Sequence, residues 1–265
     1  MGGASQSDAA NLVEIFASAQ GEGPWVGAET IFVRLGECDL RCAWCDSPGT
    51  WRRARRCRIE EAPGTGRFRD VDNPVSIETV DAALGALAPV GAGFASLTGG
   101  EPLLQPEAVR AIAERARARG MRSYLETHGL AVEALAAVID AIDVVSMDWK
   151  LESDVAPAPG DAHGEGEVDF TARHTAFLER ALDAGAVYVK TVLTPNTTET
   201  ELDEMCDAIA SVAPAVPLVL QPVTPFGRVR ERPSASRILD LQRRCAARLR
   251  DVRVIPQTHR SYDAL

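Results

Sequence analysis

Short runs rich in β-branched residues alternate along this chain with Ala-, Leu- and Arg-rich stretches of helical periodicity. That alternation limits it to folds built from repeated strand-helix units around a mainly parallel sheet. The extended runs are ETIFVRL (29–35), GFASL (93–97), RSYLET (122–127), DVVSMD (143–148), VYVKTVL (187–193), PLVLQP (217–222) and VRVIPQ (252–257). Between them, SIETVDAALGAL sets Ile77, Val80, Leu84 and Leu87 at helical spacing behind Ser76, a suitable N-cap. PEAVRAIAERARARG opens on Pro106 and stops at Gly120, as helices commonly do. VEALAAVIDA, TARHTAFLERALDAG, ETELDEMCDAIASVA and SASRILDLQRRCAARL read as further helices. Roughly six or seven such units suit a full or partial βα barrel or a doubly wound sheet; in both, chemistry sits on loops leaving the carboxyl ends of strands.

The residues that fit no packing pattern gather at those ends. They are a cysteine-rich loop after ETIFVRL, TGGEP after GFASL, THG after RSYLET, DWK after DVVSM and QTH after VRVIP. Residues 48–74, rich in Arg, Pro and Gly, and 152–168, rich in Asp, Glu, Pro and Gly, interrupt the rhythm and read as loop insertions. Residues 1–10 read as a flexible tail on a single domain covering 1–265. A formal charge of −10 lacks the clustered Lys and Arg that a phosphate backbone calls for, which points to a small-molecule substrate and away from nucleic acid. With no apolar run long enough to cross a bilayer and no secretory start, a cytoplasmic location without membrane contact is expected. Six cysteines then suggest metal ligands or reactive thiols rather than a disulfide framework. Lys150 and Lys190 are the only lysines among 28 basic residues; Lys190, inside a strand, reads equally as facing into or out of a barrel and is left outside the site.

The segment LGECDLRCAWCDS gathers Cys38, Cys42 and Cys45 in one loop. Four Cys or His ligands would close a tetrahedral zinc site, and Cys57 or a distant His is the competing way to complete one. Three thiolates on a four-iron cubane instead leave one iron open, with Trp44 to shield the cluster. This spacing, with an aromatic residue before the last cysteine, resembles the signature of the radical S-adenosylmethionine (SAM) enzymes. The resemblance implies a [4Fe-4S] cluster on Cys38, Cys42 and Cys45, SAM bound at the open iron, and a partial TIM-like (β/α) barrel of roughly six units. It also implies cofactor contacts from Trp44, Cys45, Asp46, Gly99, Gly100, Glu101, Ser146, Asp148, Lys150 and Gln221. Taken alone, GGEP is an ordinary strand-to-helix turn capped by Pro102.

The stretch VEIFASAQGEGPWVGAETIFVRLGECDLRCAWCDS, with TGGEP, ETHG, LQPV and IPQTH beyond it, is similar to the 7-carboxy-7-deazaguanine synthase family. That resemblance implies conversion of 6-carboxy-tetrahydropterin to 7-carboxy-7-deazaguanine with loss of ammonia, a step toward queuosine and other deazapurines. It makes Ala19, Gln20, Gly21 and Glu22 a substrate edge, Arg34 the partner of the substrate carboxylate, and Thr98 a substrate hydrogen-bonding group. It also implies that His259 closes the pocket and assists proton transfer, with a solvent-exposed terminal His as the competing reading. The resemblance further implies Mg²⁺ on Ser47, a reading compatible with a plain Asp-Ser-Pro-Gly turn. His128 stands where relatives usually carry Asn, and His128, His163 and His174 are given structural or surface roles. Cys206 and Cys245 read as buried small hydrophobes. WRRARRCR is either a docking patch for a flavodoxin or ferredoxin reductant or a solvated loop, and a homodimer is expected from the family. Two alternatives stay open: another radical enzyme such as a glycyl-radical activase, and a non-enzymatic iron-sulfur carrier or zinc-binding interaction protein.

Overall fold

All seven extended runs form strands and pair into one sheet, which three further strands lengthen. The computed structural model describes residues 8–91, 93–159 and 169–261. In chain order its main elements are β1 (Leu12–Ala19), β2 (Glu29–Leu35), β3 (Arg56–Glu60), β4 (Phe68–Asp72), α1 (Ile77–Ala86), β5 (Phe94–Gly99), α2 (Pro106–Ala118), β6 (Arg122–Thr127), α3 (Val132–Val138), β7 (Val144–Asp148), α4 (Phe170–Ala181), β8 (Ala186–Leu193), α5 (Glu199–Val212), β9 (Leu218–Pro222), α6 (Ala235–Ala246) and β10 (Val252–Val254). The sheet runs β10-β9-β8-β7-β6-β5-β2-β1-β3-β4. From β2 through β10 every neighbouring pair is parallel. β1 lies antiparallel on β2 and parallel to β3, which pairs antiparallel with β4. From β2 to α6 the described residues thus hold six strand-helix units, a partial (β/α) barrel. Ser76 caps α1 as its sequence suggests, its hydroxyl accepting from Thr79 N at 3.2 Å.

The stretch 48–74 is a correction to the loop expectation. It carries β3 and β4, because RCRIE buries Cys57 and Ile59 in the main core while Arg56 and Arg58 face outward from that core. The tail also starts earlier in ordered chain than expected: Ala9–Ala10 pairs with Val75–Ser76, and residues 1–7 lie outside the described residues. Within 152–168, Val155–Pro157 pairs antiparallel with Leu40–Cys42 of the cysteine loop. Residues 160–168, with His163, and 262–265 lie outside the described residues.

Because strand side chains alternate between faces, each barrel strand serves two environments. One parity, including Leu97, Leu125, Val145, Val189 and Leu220, packs with the helices into the main core. The other parity faces the barrel interior in layers. Phe94, Tyr124, Val144, Tyr188 and Val219 make an apolar layer, closed by Trp25, whose ring meets Tyr124 edge-on at 5.9 Å. Moving toward the carboxyl ends the same parity turns polar: Thr98 on β5, Glu126 on β6, Ser146 and Asp148 on β7, Lys190 on β8 and Gln221 on β9 all line a cavity.

Candidate active site

The cavity encloses about 500 Å³, a size typical of small-molecule sites. Cys38, Cys42, Cys45, Trp44, Asp46 and Ser47 line it from the cysteine loop. Gly99, Gly100, Thr98, Ser146, Asp148, Lys150 and Gln221 line it from strand ends, and Ala19, Gln20, Gly21, Glu22, Arg34 and His259 complete it. The structure therefore brings together every expected site residue except Glu101.

The cysteine loop is held by its surroundings. Gly100 N donates to Leu35 O at 3.1 Å and Glu101 N to Glu37 O at 2.8 Å. A Cβ on Gly100 would meet Glu37 O and Thr50 O, and Gly99 has φ +127°, so these two positions require glycine. Ala158 N donates to Asp39 O at 2.7 Å, and Asp39 bonds His128 Nε2 at 2.9 Å. Leu130 N–H donates to His128 Nδ1 at 3.2 Å, so the tautomer that satisfies both bonds carries its proton on Nε2. Burial pushes the Cys38 thiol up to about 12 and also raises Cys42, against the pull of the nearby Lys150 ammonium. Free, both are protonated at neutral pH, so binding a metal group there must release protons. Trp51 Nε1–H donates to Cys45 Sγ at 3.3 Å.

Cys57 is fully buried in the main core and does not line the cavity, so it does not complete a zinc set. Among the described residues no three His, Cys, Asp or Glu side chains converge on one metal-ion-sized point.

Across the cavity runs an alternating row of charges. Lys150 Nζ lies 2.7 Å from Asp148, Lys190 Nζ 3.1 Å from Asp148 and 2.7 Å from Glu22. Glu22 Oε1 also accepts from Gln221 Nε2 at 3.2 Å and Gln257 Nε2 at 2.8 Å. Burial would raise the Glu22 carboxyl, but the Lys190 ammonium outweighs it and holds the group below its usual range. Asp148 is held low in the same way by Lys150 and Lys190, and both lysines, despite burial, are held above their usual value by these carboxylates. Two buried acceptors in this wall, Asp148 Oδ1 and Gln221 Oε1, have no hydrogen-bond partner among the described residues. Such atoms accept donors from water or from a bound molecule, and the amino and hydroxyl groups of SAM are of that kind. Together with three thiols in one loop, the donor set fits a cluster and SAM.

Glu126 is a second hub, accepting from Gln20 Nε2 at 3.1 Å, Ser96 Oγ at 2.7 Å and Thr98 Oγ1 at 3.0 Å. Arg34 Nε donates to Glu14 at 2.7 Å, leaving its terminal nitrogens for a ligand. Over the opening lies the C-terminal segment. Thr258 N donates to Gly21 O at 2.9 Å, Arg260 pairs with Asp46 at 3.0 Å, and a Cβ on Gly21 would collide with the His259 ring. Ser47 Oγ bonds Asp46 at 3.0 Å while its carbonyl closes the turn onto Thr50 N, so the turn reading holds.

Glu101 is the correction: fully buried, it accepts from Leu103 N at 2.9 Å, Thr127 Oγ1 at 2.8 Å and His128 N at 2.9 Å. It braces Thr127 and His128, which line the cavity, without lining it itself. Lys190, left out on sequence, belongs in the site, and Glu14, Arg58, Trp51, Glu126, Gln257 and Arg260 join it. His128 and His174 are buried braces rather than surface residues; His174 stacks on Trp149 at 4.6 Å, and burial takes it down to about 3.

Comparison with known proteins adds an independent line. A model of the radical SAM superfamily matches residues 33–209. The 7-carboxy-7-deazaguanine synthase of Geobacter sulfurreducens is 37% identical over 95% of this chain and 96% of its own. That of Methanopyrus kandleri is 36% identical over 96% and 93%. Among solved structures, QueE from Escherichia coli aligns with a TM-score of 0.58 over 95% of this chain and 94% of its own, at 20% identity. A radical SAM methyltransferase from Sphaerobacter thermophilus gives 0.55 over 86% and 66%, at 18% identity. At such identities these two likenesses concern the fold.

Proposed function

Since the chain belongs to the 7-carboxy-7-deazaguanine synthase family of the radical SAM superfamily, we propose that its cavity takes 6-carboxy-tetrahydropterin beside SAM and a [4Fe-4S] cluster. The product is 7-carboxy-7-deazaguanine, with ammonia released. The observation that carries this reading is a single cavity joining Cys38, Cys42 and Cys45 to Gly99–Gly100 and to Arg34. When bound, the cluster and SAM supply one-electron reduction and a hydrogen-atom acceptor.

The chain's own residues hold and orient. Cys38, Cys42 and Cys45 would ligate the cluster, and Trp44 packs with Cys38 and Cys42 against one small apolar group around Leu40 and Val155. The Gly99–Gly100 edge, Ser146, Asp148 Oδ1 and Gln221 Oε1 face SAM. The free nitrogens of Arg34 pair with the pterin carboxylate, for which a planar guanidinium is suited. Glu126, with Gln20 and Thr98 on it, offers acceptor lone pairs to the pterin amide and amino N–H groups. His259, seated on Gly21, carries a proton to or from the ring system. Ser47 with Asp46 supplies oxygen donors suited to Mg²⁺. Exposed Arg52, Arg53 and Arg55 beside the cysteine loop support a flavodoxin- or ferredoxin-type reductant, and a homodimer located in the cytoplasm completes the reading. Similarity over 95% of the chain to proteins of one named activity leaves the activase and carrier alternatives without support of their own.

The test is anaerobic reconstitution with iron and sulfide, then incubation with SAM, reductant, Mg²⁺ and 6-carboxy-tetrahydropterin. Formation of 7-carboxy-7-deazaguanine is expected. Cleavage of SAM without that product would overturn the substrate assignment while leaving the radical chemistry standing.

A further inference from the structure

The hairpin β3–β4, which the sequence presents only as an insertion, delivers a charged side chain into the cavity. Glu14 of β1 stands directly opposite Arg34 of β2 on one side and Arg58 of β3 on the other. The three side chains form one row: Arg34 Nε donates to Glu14 Oε1 at 2.7 Å, and Arg58 Nε to Glu14 Oε2 at 2.7 Å. All three line the cavity. Phe16 and Phe32, stacked at 5.2 Å, form the next row of the same face. Arg58 is steadied from the far side, its guanidinium 4.6 Å from the Phe68 ring of β4. Two guanidiniums thus share one carboxylate, and the row keeps an excess positive charge at one end of the cavity.

From this row we infer that Arg58 is a second guanidinium on the substrate carboxylate, a specificity-determining residue supplied by the hairpin. The inference rests on the functional reading above and extends it. Glu14 spreads its two oxygens over both arginines and aligns them: Oε2 takes Nε and Nη2 of Arg58, which leaves Arg58 Nη1 beside the terminal nitrogens of Arg34 as a wider cradle than Arg34 alone. Such a cradle favours a planar anion over a neutral substituent at the same ring position. Arg58 acts at the rim, its side chain 47% exposed, so its effect is smaller than that of a buried pair.

The experiment compares equilibrium binding of two fluorescent, unreactive pterins, 6-carboxypterin and 6-methylpterin, to cluster-reconstituted protein with SAM. Arg58→Met keeps much of the stem over Phe68 and removes the charge. It is expected to weaken 6-carboxypterin about fivefold or more while changing 6-methylpterin less than twofold. Arg58→Lys, which keeps a charge but loses the planar fork, is expected to fall between. Arg56→Met, on the same strand and outside the cavity lining, is the control and should match wild type for both. In turnover, Arg58→Met should raise KM with little change in kcat. Equal loss for both pterins would make Arg58 merely structural and overturn the inference, as would no loss for either. If wild type forms 7-carboxy-7-deazaguanine and Arg58→Met is indifferent, the inference alone fails. If wild type forms none and binds neither pterin, the functional reading fails with it.

Discussion

Lys190→Met tests the charged wall directly. The Lys190 side chain is 10% exposed and its ammonium meets Glu22 at 2.7 Å and Asp148 at 3.1 Å. Removing one partner of a buried ion pair costs about 3–5 kcal/mol, because the remaining charge stays buried. Here Asp148 keeps Lys150 at 2.7 Å, and Glu22 keeps the amides of Gln221 and Gln257, which places the expected loss near the lower end, about 3 kcal/mol. For a chain of this length that lowers Tm by roughly 6–12 °C. The pH dependence fixes the cause. In wild type the folded Glu22 carboxyl lies below its ordinary value of 4.5, so it stabilises the fold above that pH and the contribution is lost as pH falls through the folded value. In the variant burial acts without Lys190 and lifts the folded value above 4.5. Protonation then favours the fold, and the deficit relative to wild type shrinks as pH falls from 7 toward 5. Urea unfolding of apoprotein at both pH values measures this. A loss under 1 kcal/mol at pH 7, or a deficit that grows toward pH 5, would refute the reasoning.

Three further outcomes are expected. Gly100→Ala must push its Cβ against Glu37 O and Thr50 O, backbone atoms that cannot swing aside; iron and sulfide content after reconstitution should drop well below wild type, with about 1–3 kcal/mol of destabilisation in the apoprotein. Trp51→Phe deletes the N–H that reaches Cys45 Sγ; since hydrogen bonds to ligating sulfur set cluster potentials, the midpoint measured by redox titration should move to lower potential at unchanged iron content. His128→Ala removes a partner of Asp39 and the acceptor for Leu130 N in a buried position; denaturant unfolding should report a loss of about 2–3 kcal/mol.

The parallel strands are readable because short apolar runs, most of them carrying β-branched residues, end in polar ones. The reading failed where composition masked alternation. In RCRIE the arginines dominate the eye, yet Cys57 and Ile59 are the buried parity, and the run is a strand that brings Arg58 to the cavity. Lys190 illustrates a different gap. Alternation shows that Tyr188, Lys190 and Val192 share a face, but only the assembled sheet reveals that this face is the barrel interior. Glu101 was placed among cofactor contacts by its neighbours in TGGEP; its backbone turn sends the carboxylate back onto Leu103, Thr127 and His128 instead. Local sequence predicts which residues share a side, whereas the assignment of sides needs the partners that the fold supplies.

The glutamates explain why motifs scattered over the chain occur together in it. Glu22 of QGEG binds Gln221 of LQPV, Gln257 of QTH and Lys190. Glu126 of ETHG binds Gln20 of QGEG and Thr98 of TGGEP, and Glu101 of TGGEP binds Thr127 and His128 of ETHG. Each carboxylate thus joins segments far apart in sequence, Glu101 fully buried and Glu22 and Glu126 partly so, and a charge withdrawn from water without such partners is costly. Loss of one motif would strand a charged group belonging to another. The motifs therefore act as one polar network, and among the described residues it leaves unpaired, on the cavity wall, the terminal nitrogens of Arg34 and one oxygen each of Asp148 and Gln221.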